Sequence, residues 1–217
     1  HELCLMNVDE HKLSLFGSLS RELVRRAGDP FVVTTTTDPQ SAMTGARHVV
    51  TTIRVGFEQG RALDERIALD HGVLGQETTG PGGFTKALRT IPVILDINRE
   101  MAARCPDAWL VNFTNPSGLV TEALRLHGRG KFVGLCNYPL TLKMKVAGVL
   151  NVDAEQVALA YFGLNHLSWA RVLAAGEDRT DDVLAAMIAQ PAFREISGYA
   201  FTPERLRALG LIPSGYL

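Results

Sequence analysis

The sequence predicts an α/β protein, built on a doubly wound, Rossmann-like parallel sheet and followed by the start of a second, α+β domain. Short apolar or β-branched runs alternate with amphipathic segments of helical length over the first 135 residues. This order is typical of parallel strands joined by helices that cover both faces of a sheet. Amide side chains also close one predicted strand, in Val111-Asn112-Phe113-Thr114-Asn115-Pro116. Open α/β sheets bind their ligands at such carboxyl ends of strands.

The local sequence predicts each strand and each helix of this fold. Strands are predicted where apolar and β-branched residues cluster, at residues 3–8, 31–36, 47–53, 108–113 and 131–135. Helices are predicted between them from apolar residues at helical spacing, at residues 10–27, 39–46, 61–71, 84–104 and 118–127. Gly28 suits a helix end, and Pro92 predicts a kink in the long fourth helix.

The first βα unit of this fold is expected to be missing. Dinucleotide-binding folds open with a strand, a glycine-rich turn and a helix, which together cradle the pyrophosphate. No G-x-G-x-x-G precedes the first strand here, so the chain begins at what reads as the second strand. Asn7 and Asp9 close that strand, where a ribose-binding acid is expected. An ordinary charged turn that caps the next helix is the alternative.

Composition excludes several classes of protein. The chain has 217 residues, of which 46% are hydrophobic, and a net charge of −1. These values are typical of a globular protein and give no indication of a nucleic-acid or anionic-membrane partner. We expect no membrane-spanning segment and no signal peptide. The three cysteines do not suggest a disulfide framework, so a reducing cytoplasm is expected.

Cys136 and His166 are candidate metal ligands. Each lies in a polar turn just after an apolar stretch, in Gly134-Leu135-Cys136-Asn137 and Gly163-Leu164-Asn165-His166. A thiolate and an imidazole at strand ends can share an ion, and substrate or water would complete its coordination. We expect their ligand atoms within about 5 Å at the carboxyl edge of the sheet. On spacing alone, ordinary packing remains an alternative.

A glycine-rich segment in the middle of the chain is a candidate binding loop. Gly75-Gln76-Glu77-Thr78-Thr79-Gly80-Pro81-Gly82-Gly83-Phe84 leads directly into a predicted helix. Glycines permit close backbone approach to a ligand, and a helix N-terminus favours an anion. An ordinary surface loop is the alternative.

Several blocks together resemble glycoside hydrolase family four, the NAD- and divalent-metal-dependent glycosidases. They are GVLGQETTGPGGFTKALRTIPVILDI, LVNFTNPSGLVTEAL, VGLCNYP, YFGLNHLSW and LGLIPSGYL, in the family's order over nearly the whole chain. Asparagine after the cysteine, as in Cys136-Asn137, is similar to the 6-phospho-β-glucosidase branch. The family is an exception to two-carboxylate glycosidase chemistry.

The resemblance implies roles for individual residues. Cys136 and His166 match the family's two protein ligands to Mn²⁺ or another divalent metal. Tyr216 matches the general base, and Glu77 matches an acid that raises the basicity of this tyrosine.

The remaining matches concern the substrate and the cofactor. Arg61 and Asn115 match substrate-binding residues, and Asn137 is also expected to bind the substrate. Asn137 occupies the position of a general acid in the α-glucosidase branch; asparagine is no useful acid, so the acid for the leaving group is unassigned. Asn7 and Asp9 are the residues expected to contact NAD.

The implied protein is a 6-phospho-β-glucosidase that acts by NAD-dependent oxidation at C3, elimination, water addition and re-reduction. Its substrates would be phosphorylated disaccharides or aryl glucosides, and it would form a homodimer or homotetramer. The implied domains are an N-terminally truncated NAD-binding domain at residues 1–139 and an incomplete substrate- and metal-binding domain at residues 140–217.

Three alternatives remain at this point. The first is a related member of the family that acts on an α-linked or unphosphorylated glycoside. A truncated chain without activity is the second. The third is a hydroxyacid dehydrogenase, a class that shares the fold but has no need of Cys136 with His166.

Overall fold

A computed structural model describes residues 1–189 and 202–214. All ten elements predicted up to residue 135 are present. They are β1 (Glu2–Met6), α1 (Glu10–Arg26), β2 (Val32–Thr36), α2 (Pro39–Met43), β3 (His48–Thr51), α3 (Phe57–Asp70), α4 (Gly80–Arg104), β4 (Trp109–Asn112), α5 (Ser117–His127) and β5 (Lys131–Gly134).

The later part of the chain mixes helices with an antiparallel sheet. Its elements are α6 (Tyr138–Leu150), a 3₁₀ helix (Ala154–Gln156), β6 (Val157–Leu164), β7 (Leu167–Ala174), β8 (Glu177–Asp178), α7 (Thr180–Ala189), α8 (Pro203–Leu209) and β9 (Ile212–Pro213). The expectation of an α/β chain that continues into an α+β domain is confirmed.

The chain divides into two compact units that are interleaved along the sequence. Unit 1 comprises His1–Thr52, Ile91–Asn112 and Thr121–Val133. Unit 2 comprises Ile53–Thr90, Phe113–Val120 and the described residues from Gly134 onward. The domain boundary after residue 139 stays a prediction.

Unit 1 contains the parallel strands, in two groups. β1 pairs with β2 in parallel, with Cys4 opposite Thr34. β3 pairs with β4 in parallel, with Val50 opposite Val111, and β5 adjoins β4. Apolar side chains from the helices and strands of this unit are buried, among them Leu13, Val33, Met43, Ile94, Met101, Leu110 and Leu124.

Unit 2 is built on the β6–β7 hairpin. β8 and β9 both pair antiparallel with β7. One apolar core fills the unit between this sheet and its helices; it includes Leu142, Val146, Val157, Ala170, Val172, Val183, Leu184, Leu206 and Ile212. Within residues 1–189 and 202–214, no helix has both the length and the apolar character that crossing a bilayer requires.

Two helices begin four residues earlier than the sequence predicted, and α5 begins one residue earlier. α3 starts at Phe57 rather than residue 61, directly after Gly56, whose φ of 82° turns the chain into the helix. α4 starts at Gly80 rather than residue 84, within the glycine-rich segment. Glycine disfavours a helix locally, but tertiary packing overrides this preference. α4 then continues through Pro92 to Arg104.

Candidate functional site

Cys136 and His166 meet in unit 2. The Sγ atom of Cys136 lies 3.6 Å from Nε2 of His166, so the expected separation of less than about 5 Å is confirmed. Two ligands bonded to one ion at about 2.3 and 2.0 Å lie roughly 3–3.6 Å apart at coordination angles of about 90–110°. The pair therefore fits a shared divalent cation.

The two side chains reach this point from different kinds of backbone. Cys136 follows the parallel strand β5 and precedes α6. His166 lies in the two-residue turn of the antiparallel β6–β7 hairpin, where Leu164 pairs with Leu167. His166 thus reaches the point after β5 from an antiparallel hairpin, not from a strand of the parallel sheet. The turn holds His166 at a φ of 63°, a conformation that costs free energy and is typical of functional positions.

Glycine is required where this hairpin closes. Gly163 has a φ of 113°, and a Cβ atom there would lie 2.8 Å from the Cα atom of Ser168. Any side chain at residue 163 would push β6 away from β7, and so displace the turn that carries His166.

The imidazole of His166 is held in the form that binds metals. His166 is only 3% exposed. Burial lowers its pKa; the negative charge of Glu77 opposes this shift, and the positive charge of Lys86 adds to it. A neutral imidazole at neutral pH is the protonation state of a metal ligand.

The site is open rather than closed by protein ligands. In the part of the chain that the structure describes, no group of three or more His, Cys, Asp or Glu side chains is placed to hold a metal. Two protein ligands leave positions for substrate or water, as in catalytic rather than structural sites.

The turn after β4 adjoins both candidate ligands. The Ser117 hydroxyl lies 3.4 Å from the carbonyl oxygen of Leu135, the neighbour of Cys136. A Cβ atom on Gly118 would lie 3.8 Å from that of Asn165, the neighbour of His166. Asn115 begins this turn, and its Oδ1 accepts from the Ser117 N–H group at 3.3 Å. The Asn115–Pro116 peptide bond is cis.

Glu77 lies in a cluster of cations in the same unit. Its Oε2 atom is 2.6 Å from Nη1 of Arg54, 3.2 Å from Nζ of Lys86 and 3.7 Å from Nε of Arg61. Burial opposes ionisation of Glu77, but hydrogen bonds and charges from Arg54 and Lys86 outweigh it and lower the pKa. Arg61 also donates to Glu65 at 2.8 Å. The structure thus brings two of the predicted residues, Glu77 and Arg61, into contact.

Sequence reasoning missed Arg54 and Lys86. Lys86 is 4% exposed and lies at four-residue spacing from Thr90, Ile94 and Asn98, which are all buried on the same helix. A lysine on the buried stripe of a helix is a signal that periodicity alone provides, because lysine is rarely buried without a partner. Arg54 carries no comparable signal.

The glycines of the central segment serve packing against the chain itself. A Cβ atom on Gly82 would collide with the carbonyl oxygen of Gln76, and one on Gly83 with the carbonyl group of Thr78. The loop that carries Glu77 therefore lies directly on the first turn of α4. This contact gives both glycines a role in packing; close approach of this segment to a ligand stays a prediction.

Tyr161 and Ser168 form a second polar pair near Cys136. Their hydroxyl oxygens are 2.6 Å apart across the hairpin. Burial raises the pKa of Tyr161, the hydrogen bond with Ser168 opposes this shift, and the charge of Cys136 adds to it. Tyr161 is thus a neutral phenol beside the candidate metal ligands, and sequence reasoning did not single it out.

The other predicted residues fall in three places. Asn137 is exposed and directly follows Cys136, at the N-cap of α6. Tyr216 lies outside the described residues. Asn7 and Asp9 belong to unit 1, where Asn7 Oδ1 accepts from the Asp9 N–H group and Asp9 Oδ1 from that of Lys12. Asp9 is therefore the N-cap of α1, the alternative that the sequence left open; contact with NAD stays a prediction.

Comparisons with known proteins agree with the motifs. The sequence pattern of the family 4 glycosyl hydrolases matches residues 1–152. The chain is 46% identical over 223 residues to a probable 6-phospho-β-glucosidase of Bacillus subtilis (strain 168), and the match covers 99% of this chain and 50% of that protein. It is 40% identical to the 6-phospho-β-glucosidase of Escherichia coli (strain K12), over 100% of this chain and 50% of that protein.

A solved structure shows the same fold. The 6-phospho-β-glucosidase of Thermotoga maritima, determined with manganese, NAD⁺ and glucose 6-phosphate, superposes with a TM-score of 0.87 at 35% identity. The match covers 100% of this chain and 51% of that one. The chain thus spans about half the length of the relatives it matches.

Proposed function

Because this chain belongs to glycosyl hydrolase family 4, we propose that the protein is a 6-phospho-β-glucosidase. The observation that carries this proposal is the identity of 40–46% to two proteins with this name, over nearly the whole chain. The contact between Cys136 and His166 supports it, because a hydroxyacid dehydrogenase has no need of such a pair.

Cys136 and His166 are the residues that would hold a divalent cation. Their 3.6 Å separation and the neutral imidazole fit a divalent cation, and we propose Mn²⁺ because a 35% identical neighbour was solved with manganese. When bound, the cation supplies positive charge beside the sugar oxygens at C2 and C3, and NAD⁺ supplies a hydride acceptor for C3.

Arg61 and Asn115 are proposed to bind the sugar. Asn115 has a half-buried side chain in the turn that adjoins both metal-ligand segments, and its amide N–H groups donate no hydrogen bond to the described residues. Arg61 is a half-exposed cation beside Glu77. Such groups suit hydroxyl and phosphate oxygens.

Tyr216 is proposed as the base that removes the C2 proton. Ser214 supports this role, because its N–H group donates to the carbonyl oxygen of Ser168 at 2.8 Å, two residues beyond His166. Tyr216 follows Ser214 by two residues in the sequence, and its own position lies outside the described residues.

Deuterium incorporation tests the proposal. The protein, loaded with Mn²⁺ and NAD⁺, is expected to hydrolyse an aryl 6-phospho-β-glucoside in D₂O and to leave deuterium at C2 of the released sugar. A tyrosine base exchanges its proton with solvent, whereas displacement through two carboxylates leaves C2 untouched. Tyr216→Phe should lower the rate by at least about two orders of magnitude. Product without deuterium at C2 would contradict this mechanism.

Parallel assays decide the substrate class. The α-linked 6-phosphoglucoside and the unphosphorylated β-glucoside are the matched controls. Equal or faster turnover of either would replace the proposed substrate by that of another branch of the family. No turnover of any of the three would favour an inactive chain.

The remaining proposals concern assembly and compartment. We propose a homodimer or homotetramer that acts in the cytoplasm on phosphorylated disaccharides or aryl glucosides. The three cysteines, Cys4, Cys105 and Cys136, are all free thiols, which supports a reducing compartment.

A further inference from the structure

Lys86 is a buried cation that forms an ion pair with Glu77. It is 4% exposed on α4, and its Nζ atom lies 3.2 Å from Oε2 of Glu77. Among the described residues, Glu77 is its sole ion-pair partner. A buried ammonium group costs several kcal/mol of desolvation unless it is paired, so this lysine is expected to serve the position and charge of Glu77.

The cations around Glu77 all contact one oxygen. Arg54, Lys86 and Arg61 approach Oε2, and the hydrogen bonds that described residues donate to Glu77 all end on Oε2 rather than on Oε1. Arg54 is shared with Glu58, at 3.1 Å, and Arg61 with Glu65. Among these three cations, Lys86 is the one whose ion pair with a described residue is to Glu77 alone.

The cluster lies next to the proposed sugar site. The Ile53 N–H group donates to Oγ1 of Thr114 at 3.0 Å, which joins the segment of Arg54 to the segment of Asn115. The charges of both Glu77 and Lys86 also act on the imidazole of His166. The hydrogen bond between Ile53 and Thr114 thus places the segment of Arg54, the partner of Glu77, next to the segment of Asn115.

We propose that Lys86 is a positioning residue: with Arg54 it fixes Oε2 of Glu77, so that Oε1 accepts a hydrogen bond from one hydroxyl group of the bound sugar phosphate. The inference rests on the proposed function. A hydrogen bond from a neutral hydroxyl to a carboxylate held in place is stronger than one between neutral groups.

A second ion pair on the same helix provides the control. Arg89 lies three residues beyond Lys86 and binds Asp64 with two hydrogen bonds, so that both carboxylate oxygens are occupied. Asp64 is 1% exposed. This pair joins α3 to α4 and leaves no oxygen for a ligand.

Deoxy analogues of the sugar test the proposal. Binding of glucose 6-phosphate and of its 2-deoxy, 3-deoxy and 4-deoxy analogues is measured by calorimetry with Mn²⁺ and NAD⁺ present. In the unaltered protein, one analogue is expected to bind at least about tenfold more weakly than the parent sugar. In Lys86→Met this difference should fall to less than about threefold, because Oε1 is no longer held. Lys86→Arg should restore it.

The outcomes of this experiment distinguish a failure of the proposed function from a failure of the proposed role of Lys86. If the unaltered protein does not bind glucose 6-phosphate, the proposed function fails and this inference fails with it. If it binds, and Lys86→Met weakens all four sugars by the same factor or none of them, only the role of Lys86 is overturned. Arg89→Met should lower the melting temperature but keep the preference among the analogues. Lys86→Gln replaces Lys86→Met if the latter does not fold.

Discussion

At the scale of single residues, the candidate site depends on two side chains that are far apart in the sequence. Cys136 and His166 are separated by 30 residues, and their ligand atoms lie 3.6 Å apart. Each is fixed by its own local backbone, a strand end for Cys136 and a hairpin turn for His166. The metal site is therefore expected to form without rearrangement of the core.

Metal binding should stabilise the fold only when both ligands are present. Addition of Mn²⁺ at about one hundred times its dissociation constant should stabilise the unaltered protein by about 2.7 kcal/mol. Cys136→Ser and His166→Ala should lose most of this gain. Thermal unfolding with Mn²⁺ and with a chelator measures it. Cys105→Ser is the matched control, since Cys105 is a buried thiol in unit 1. An equal gain in all variants would contradict the proposed ligands.

At the scale of elements, two features attach the first turns of α4 to the rest of unit 2. The loop of Gln76 and Thr78 lies on Gly82 and Gly83, and the Asp64–Arg89 pair joins α3 to α4. Both features hold Lys86 and Glu77 in place, although neither contacts a ligand. Both features stabilise the fold and support the site indirectly.

Replacing glycine by alanine is expected to have opposite effects on stability at Gly83 and at Gly148. Gly83→Ala should destabilise the protein by about 1–3 kcal/mol, because its Cβ atom would overlap the backbone of Thr78. Gly148→Ala should stabilise it by roughly 0.5–1 kcal/mol, because Gly148 lies within α6 and nothing lies within 4 Å of its added Cβ atom. Denaturant unfolding measures both. A neutral effect of Gly83→Ala would show that the loop can move away.

The Asp64–Arg89 pair predicts a loss of stability in acid. Burial opposes ionisation of Asp64, but hydrogen bonds from Arg89 and Thr85 outweigh it and lower the pKa. A carboxyl group with a lowered pKa in the folded state stabilises the fold above its unfolded value of 3.8, and this contribution is lost as the pH falls through the folded value.

Asp64→Asn should therefore cost about 3 kcal/mol at neutral pH and progressively less below about pH 4. Asp96→Asn, at an exposed pair with Arg99 on the same helix, should cost less than about 0.5 kcal/mol at any pH. Urea unfolding at several pH values compares the two. A constant cost of Asp64→Asn across this range would contradict the assigned ionisation.

At the scale of the whole molecule, the parallel strands of unit 1 form two groups, β1–β2 and β3–β4–β5. In the strand order 3-2-1-4-5-6 of doubly wound sheets, these groups correspond to strands 3-2 and 4-5-6. No described strand takes the position between β1 and β3. The described strands therefore correspond to the second to sixth strands of such a sheet.

Hydrogen exchange should reveal these two edges. β4 has a strand on each side, whereas β1 and β3 each have one described neighbour. Backbone amides of β4 should exchange slowly, and those of β1 and β3 that face away from β2 and β4 should exchange much faster. Residue-resolved exchange in native buffer measures this. Uniform protection of all three strands would mean that another strand covers both edges.

The sequence alone determined the elements and the family. Periodicity and turn residues located ten helices and strands, because these signals are local and survive without knowledge of the packing. The motif blocks singled out Cys136 with His166, and the short contact between them is confirmed. The starts of α3 and α4 were predicted four residues too late. α4 begins at Gly80 because the loop packs on its glycines, a contact that local propensity does not describe.

Only the tertiary structure decided how the site is assembled. Arg54 and Lys86 are 23 and 9 residues from Glu77, and their pairing depends on the way α4 and two loops pack. The antiparallel hairpin of His166 likewise follows from strand pairing rather than from the sequence of its turn. The physical reason is that a local pattern fixes which face of an element is apolar. Which charges meet on the polar or buried faces is set by contacts between segments distant in the chain.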